Sequence, residues 1–104
     1  MTERKKVLFF GLSYFVRKLL SLYLERRPCI AVDIDLSFEH DWGSKDNLEL
    51  YVGDASSIVL WKKLPVDSVS HIVFSLNDRD VVEELCRIAR ETFKLDIPII
   101  GITN

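Results

Sequence analysis

Apolar residues along this chain come in short continuous runs, separated by stretches with helical spacing. Val7-Leu8-Phe9-Phe10 is such a run and closes at Gly11. From Tyr14 to Arg26, the residues Phe15, Val16, Leu19, Leu20, Leu22 and Tyr23 form a wide apolar face, which predicts a helix. Arg26 and Arg27 stand at its C-terminal end, where cations suit the helix dipole, and Pro28 stops it. Cys29-Ile30-Ala31-Val32 is a second run, closed by Asp33-Ile34-Asp35. Ser37 to Asn47 is polar and weakly patterned, and reads as a loop with room for a short helix. Leu48 to Val52 predicts a third strand ending in Gly53-Asp54, and Ser56 to Leu64 a short helix stopped by Pro65. Ser70 to Leu76 predicts a fourth strand. Asp78 to Lys94 carries Val81, Val82, Leu85, Cys86, Ile88, Ala89 and Phe93 at spacings of three and four, the clearest helical pattern in the chain. Ile97 to Ile102 predicts a fifth strand.

Strands without alternation are buried on both faces, as in a parallel sheet covered by helices. Right-handed crossovers leave few topologies. The expected fold is α/β: a Rossmann-like doubly wound sheet of five parallel strands in the order 3-2-1-4-5. Residues 1–104 are expected to form a single domain.

Composition removes several classes of function. The net charge is −2 and the pI about 5.6, which argues against nucleic acid, whose phosphates call for a basic patch. No apolar run approaches the ~20 residues needed to span a bilayer, and the charged N-terminus lacks a signal-peptide layout. Direct membrane insertion is therefore not expected, and a cytoplasmic location is. Cys29 and Cys86 have no metal spacing and fall in elements read as buried; His40 and His71 lack ligand-spaced partners. No nucleophile motif and no usefully spaced His–carboxylate pair is visible, so no catalytic residues and no metal are assigned. Trp42 and Trp61 are candidates either for a partner surface or for partial burial.

In such a sheet, ligands bind at the carboxyl ends of the strands, where the strand order reverses. Gly11, Ser13, Asp33, Asp35, Gly53, Asp54 and Ala55 all fall there. A dinucleotide loop wants G-x-G-x-x-G. Here Gly11 supplies the tight turn, but Ser13 and Val16 occupy the second and third glycine positions. An ordinary strand-to-helix turn with Ser13 as N-cap accounts for the same residues. Asp33 closes the second strand about twenty residues after the glycine turn, where an acid can accept hydrogen bonds from ribose hydroxyls or stand as a solvated strand-end aspartate. An acid rather than an arginine favours NAD or an adenine nucleotide over NADP. Gly53-Asp54-Ala55 can line the adenine side of the crevice or simply lead into the next helix. Asn77-Asp78, after the fourth strand, also fall at the crevice; they read as the cap of the long helix, with a ligand contact as the alternative.

The glycine turn, the V-D-I-D of Val32 to Asp35, the G-D-A of Gly53 to Ala55 and the S-x-N-D-x-x-V of Ser75 to Val81 occur in order from about Lys6 onwards. This set resembles the TrkA-N family, also called RCK or KTN domains, which regulate potassium channels and transporters. The G-D-A is its most specific piece. The resemblance implies a Rossmann-like lobe that binds NAD(H) or an adenine nucleotide (ATP, ADP or AMP). Gly11, Ser13, Asp33 and Asp54 would surround the nucleotide, with Asp35 and Ala55 as secondary contacts. Because the glycine motif is degenerate, an empty site is the other expectation. The implied partners are a second copy of the chain, as homodimer or higher homo-oligomer, and a membrane potassium channel or transporter subunit, which would place the domain at the periphery of the inner membrane. Family members usually continue past the fifth strand with a sixth strand and further helices. The fifth strand, with Ile97, Ile99, Ile100 and Ile102, is therefore expected at an open edge that self-association would cover.

Three functions remain: a regulatory ligand-binding module of a potassium channel or uptake system, a non-binding Rossmann dimerisation module, and a subunit of an NAD-linked oxidoreductase with substrate groups supplied in trans. The first needs no catalytic groups. The last needs a second lobe to hold substrate.

Overall fold

A computed structural model describes residues 3–35 and 46–102. The elements are β1 (Lys6–Phe10), α1 (Tyr14–Leu24), β2 (Cys29–Asp33), β3 (Leu48–Val52), α2 (Ile58–Trp61), β4 (Val69–Phe74), α3 (Arg79–Arg87) and β5 (Ile99–Gly101). The strands form one sheet in the order β3-β2-β1-β4-β5, and every pairing is parallel. The expected doubly wound topology is the one found. His40, Trp42 and most of the polar stretch from Ser37 to Asn47 lie outside the described residues.

The continuous apolar runs are explained by a core on each face of the sheet. Leu8, Phe10, Ile30, Val32 and Ile72 pack under Leu60, Trp61, Leu85 and Ile88. Val7, Phe9, Cys29, Ala31 and Val73 pack under Leu12, Val16 and Leu20 of the α1 side. Alternate residues of one strand thus feed opposite cores. Each large side chain so buried contributes about 1.5–3 kcal/mol. Trp61 belongs to this interior and not to a partner surface. It is fully buried, its ring lies 5.2 Å from Phe10 and 5.8 Å from Phe93, and its indole N–H donates to the Ala55 carbonyl at 2.8 Å.

Several boundaries differ from the pattern-based ones, each for a local reason. Helix α1 ends at Leu24, because the N–H groups of Arg26 and Arg27 both turn back to the Tyr23 carbonyl. Arg27 then donates from Nε to the Lys5 carbonyl at 3.2 Å, tying the turn to β1 and not to the helix end. Asn47 satisfies the Leu24 carbonyl instead, at 2.6 Å. Helix α2 is confined to Ile58–Trp61, because Ser57 caps it and tight turns to the Leu60 and Trp61 carbonyls close it. Ile97 precedes β5 and is buried, so only Ile100, at 46% exposure, stands open on the edge strand. Of the two cysteines, Cys29 is buried and Cys86 only half-buried.

The long helix also changes character. After Arg87 it widens into a π-helical turn over Ile88–Thr92, where Phe93 N–H reaches the Ile88 carbonyl. Lys94 follows in a left-handed conformation, φ 55°, and Leu95 N–H closes onto Ala89. That geometry is the glycine-type helix stop, occupied here by a residue with a Cβ. Lys94→Gly should therefore stabilise the domain by about 1 kcal/mol, seen as a thermal midpoint raised by about 4 °C or more. An unchanged or lower midpoint would contradict this account of Lys94.

Candidate functional site

The carboxyl ends of β1, β2, β3 and β4 open into a cleft of about 510 Å³. Its lining comes from four turns: Gly11, Leu12 and Ser13 after β1; Asp33 and Ile34 at the end of β2; Gly53, Asp54 and Ala55 after β3; and Ser75 to Asp78 after β4. Backbone hydrogen bonds join these turns to their neighbours. Gly11 N–H donates to the Val32 carbonyl, Gly53 N–H to the Asp33 carbonyl, and Ser75 N–H to the Phe10 carbonyl, each at 2.9–3.0 Å.

Gly11 has a φ of +80°, and an added Cβ would run into the carbonyl oxygen of Ser75. The turn therefore requires glycine twice over, for its conformation and for its closeness to β4. At Gly53, an added Cβ would come within 2.8 Å of a terminal carbon of Leu60, which is side chain and can move.

Asp33 is the hinge of the site. Its Oδ2 accepts from Leu12 N–H at 2.7 Å and its Oδ1 from Asp35 N–H at 3.1 Å. The carboxylate is therefore bonded directly to the glycine turn, at the wall of the cleft. Backbone donors to a carboxylate contribute about 1.5–3 kcal/mol each when shielded. Asp54 accepts at Oδ1 from the N–H and hydroxyl of Ser56, at 2.8 and 2.7 Å. Those bonds hold its carboxyl below the usual range and keep it ionised. Asp78 caps α3, accepting at Oδ1 from Asp80 and Val81 N–H. Ser13 caps α1 through Val16 N–H.

Six of the seven expected site residues line the cleft together: Gly11, Ser13, Asp33, Gly53, Asp54 and Ala55. Asp35 does not. It is exposed beyond the end of β2, and its backbone N–H serves Asp33. Val16, at the third glycine position, is completely buried in one core with Phe9, Cys29 and Ala31. Tyr14 and Phe15, which would block the cleft if turned inward, are 68% and 54% exposed and lie outside its lining. Pattern reading overlooked Leu12, whose backbone and not whose side chain matters, and the Ser75-Leu76 wall. The latter was signalled only by the S-x-N-D spacing.

Other reactive groups lie away from the cleft. Burial pushes the Cys29 thiol up to about 12, against a smaller opposing effect of Arg27, so it stays protonated. Burial, helped by Arg27, holds His71 below its ordinary value, and its ring faces Ser70 and Tyr23. No cluster of metal-ligating side chains and no helix long and apolar enough to cross a membrane occurs among the described residues.

No protein-family model matches the chain, and no curated protein matches it in sequence. Solved structures do. The GsuK RCK domain superposes with a TM-score of 0.75 at 21% identity, covering 96% of this chain and 22% of that one. A GsuK channel bound to NAD gives 0.74 at 20%, covering 96% and 18%. The TrkA-N domain of the inner membrane protein YbaL from Escherichia coli gives 0.77 at 14%, covering 100% and 76%. The chain thus spans about a fifth of the length of the GsuK chains it matches. It has the fold of RCK and TrkA-N domains: a five-stranded, Rossmann-like α/β unit.

Gly11→Ala tests the turn on which this site is built. It should destabilise the domain by about 2–4 kcal/mol, through positive-φ strain and the collision with Ser75. Urea unfolding measures this, and a loss below about 0.5 kcal/mol would show that the turn relaxes freely.

Proposed function

We propose that the chain is the regulatory domain of a potassium channel or potassium uptake system, of the TrkA-N/RCK kind, and that it senses NAD(H) or an adenine nucleotide in the cleft above the sheet. The observation that carries this reading is Asp33, a carboxylate at the end of β2 set against the glycine turn with an open cleft between four strand ends. A ribose would donate its hydroxyls to this carboxylate, the adenine would lie toward Gly53, Asp54 and Ala55, and phosphate would meet the first turn of α1 beyond Ser13. The similar GsuK channel structure contains NAD, which supports the same class of ligand here. The reading needs no catalytic group. The domain would work in the cytoplasm, held at the periphery of the inner membrane through its partner.

One observation favours a second reading, a dimerisation module with an empty cleft. Each oxygen of Asp33 already accepts one backbone N–H, from Leu12 and from Asp35, so the turn holds together without a ligand. Thermal shifts with NAD, NADH, ATP, ADP and AMP separate the two. A nucleotide at a hundred times its dissociation constant should add about 2.7 kcal/mol of stability, and Asp33→Ala should abolish the shift. No shift at millimolar nucleotide overturns the sensing role. A shift that survives Asp33→Ala overturns the placement of the ribose.

The edge strand bears on assembly. Among the described residues β5 pairs with β4 alone, and Ile100 is half exposed on it. An open apolar edge offers unpaired backbone groups to another chain. We infer self-association through β5 and the end of α3. Light scattering should give at least twice the 12.1 kDa chain mass, and a monomer at high concentration would refute it.

A further inference from the structure

Among the described residues, the charged side chains that line the cleft are all of one sign. Asp33, Asp54 and Asp78 line it, and no lysine or arginine does so among the described residues. Each carboxylate is held by backbone N–H groups of its own or a neighbouring turn, so none can swing away cheaply. Arg79, next to Asp78 in the chain, pairs with Glu83 at 3.3 Å. The phosphate cradle is also reduced. Leu12 N–H is taken by Asp33 and Val16 N–H by Ser13, which leaves the start of α1 as the remaining source of donors from that turn. Such a cleft can seat a phosphate on a helix start, but it opposes every further negative charge.

We propose that the cleft selects nucleotides by charge, taking those with the least net negative charge: NAD over NADH, and AMP over ADP and ATP. This selection rests on the nucleotide reading of the cleft given above. The pyridinium of oxidised NAD offsets one phosphate charge and NADH has no such cation. AMP, ADP and ATP add negative charge stepwise at the phosphate end, beyond Ser13, and the summed field of Asp33, Asp54 and Asp78, which line the same cleft, opposes each addition. Repulsion rather than shape sets the order, so salt should weaken the discrimination.

The test is calorimetric titration of the full chain with NAD, NADH, AMP, ADP and ATP, in EDTA at low ionic strength. NAD should bind more tightly than NADH, and affinity should fall from AMP to ATP by about tenfold. Raising the salt should improve ATP binding and narrow the series. Asp54→Asn and Asp78→Asn should narrow it as well. Asparagine keeps the cap at Asp78, and a melting curve for each variant shows whether the fold is intact. Affinity that is flat or rises with phosphate number overturns charge selection while leaving the nucleotide reading in place. Charge selection is equally overturned if the order persists in both asparagine variants. Absence of binding by all five nucleotides overturns both.

Discussion

The hydrogen bond from Leu12 N–H to the Asp33 carboxylate is the contact on which the site depends. It joins residues at the ends of neighbouring strands, and it fixes the path of the chain immediately after Gly11. The positive φ of Gly11 starts the turn, and Asp33 holds its far side. The backbone of Asp33 works in the other direction, accepting from Gly53 N–H. One residue therefore aligns the turns after β1 and β3 on either side of β2. A glycine turn held this way does not need its second and third glycines to keep shape. That explains how Ser13 and Val16 can occupy those positions in an otherwise ordinary Rossmann crevice.

A second tie reaches the site from below. The Trp61 indole holds the Ala55 carbonyl, and its ring lies between Phe10 and Phe93. Phe10 and Ala55 both line the cleft, whereas Phe93 ends the π-helical turn that follows α3. The cleft floor and the end of α3 therefore share one close-packed aromatic layer. Close packing transmits displacement, since an interior at crystal-like density has no slack to absorb it. A ligand that shifts Phe10 or Ala55 must move Trp61 or be resisted by it. The self-association surface inferred for β5 and the end of α3 begins where this layer stops.

The strand order, the site's location and the position of Asp33 were legible in the sequence because each rests on a local pattern. Unbroken runs such as Val7 to Phe10 announce burial on both faces, and an acid closing the second run falls where the topology puts the crevice. Features made by tertiary contact were not legible. Nothing in the periodicity from Asp78 to Lys94 distinguishes an α-helix from one that widens at Ile88, because both keep the same apolar face. Trp61 sits in a short polar-flanked segment, and its burial follows from meeting Phe10 and Phe93, residues remote in the chain. Leu12 escaped notice because its role belongs to a backbone N–H, which has no residue type. Asp35 looked equivalent to Asp33, yet it stands two residues past the strand end, where the chain has already left the cleft.

Architecture and chemistry separate in this domain. The sheet order, the turn at Gly11 and the acid at Asp33 are what a nucleotide fold requires, and a core on each face sustains them. What the fold leaves open is the electrostatic character of the crevice, set by a few side chains at strand ends. Here those positions carry carboxylates, and the Leu12 amide of the glycine turn is occupied by one of them. The internal carboxylate thus does part of what a bound anion does elsewhere: it satisfies the turn and neutralises its partial positive charge. A nucleotide of the proposed kind would then have to gain from ribose, base and the start of α1 what it cannot gain from the Leu12 amide. On the proposed nucleotide reading, affinity would depend on the neutral parts of the nucleotide, and the phosphates would act mainly as a filter on which form is admitted.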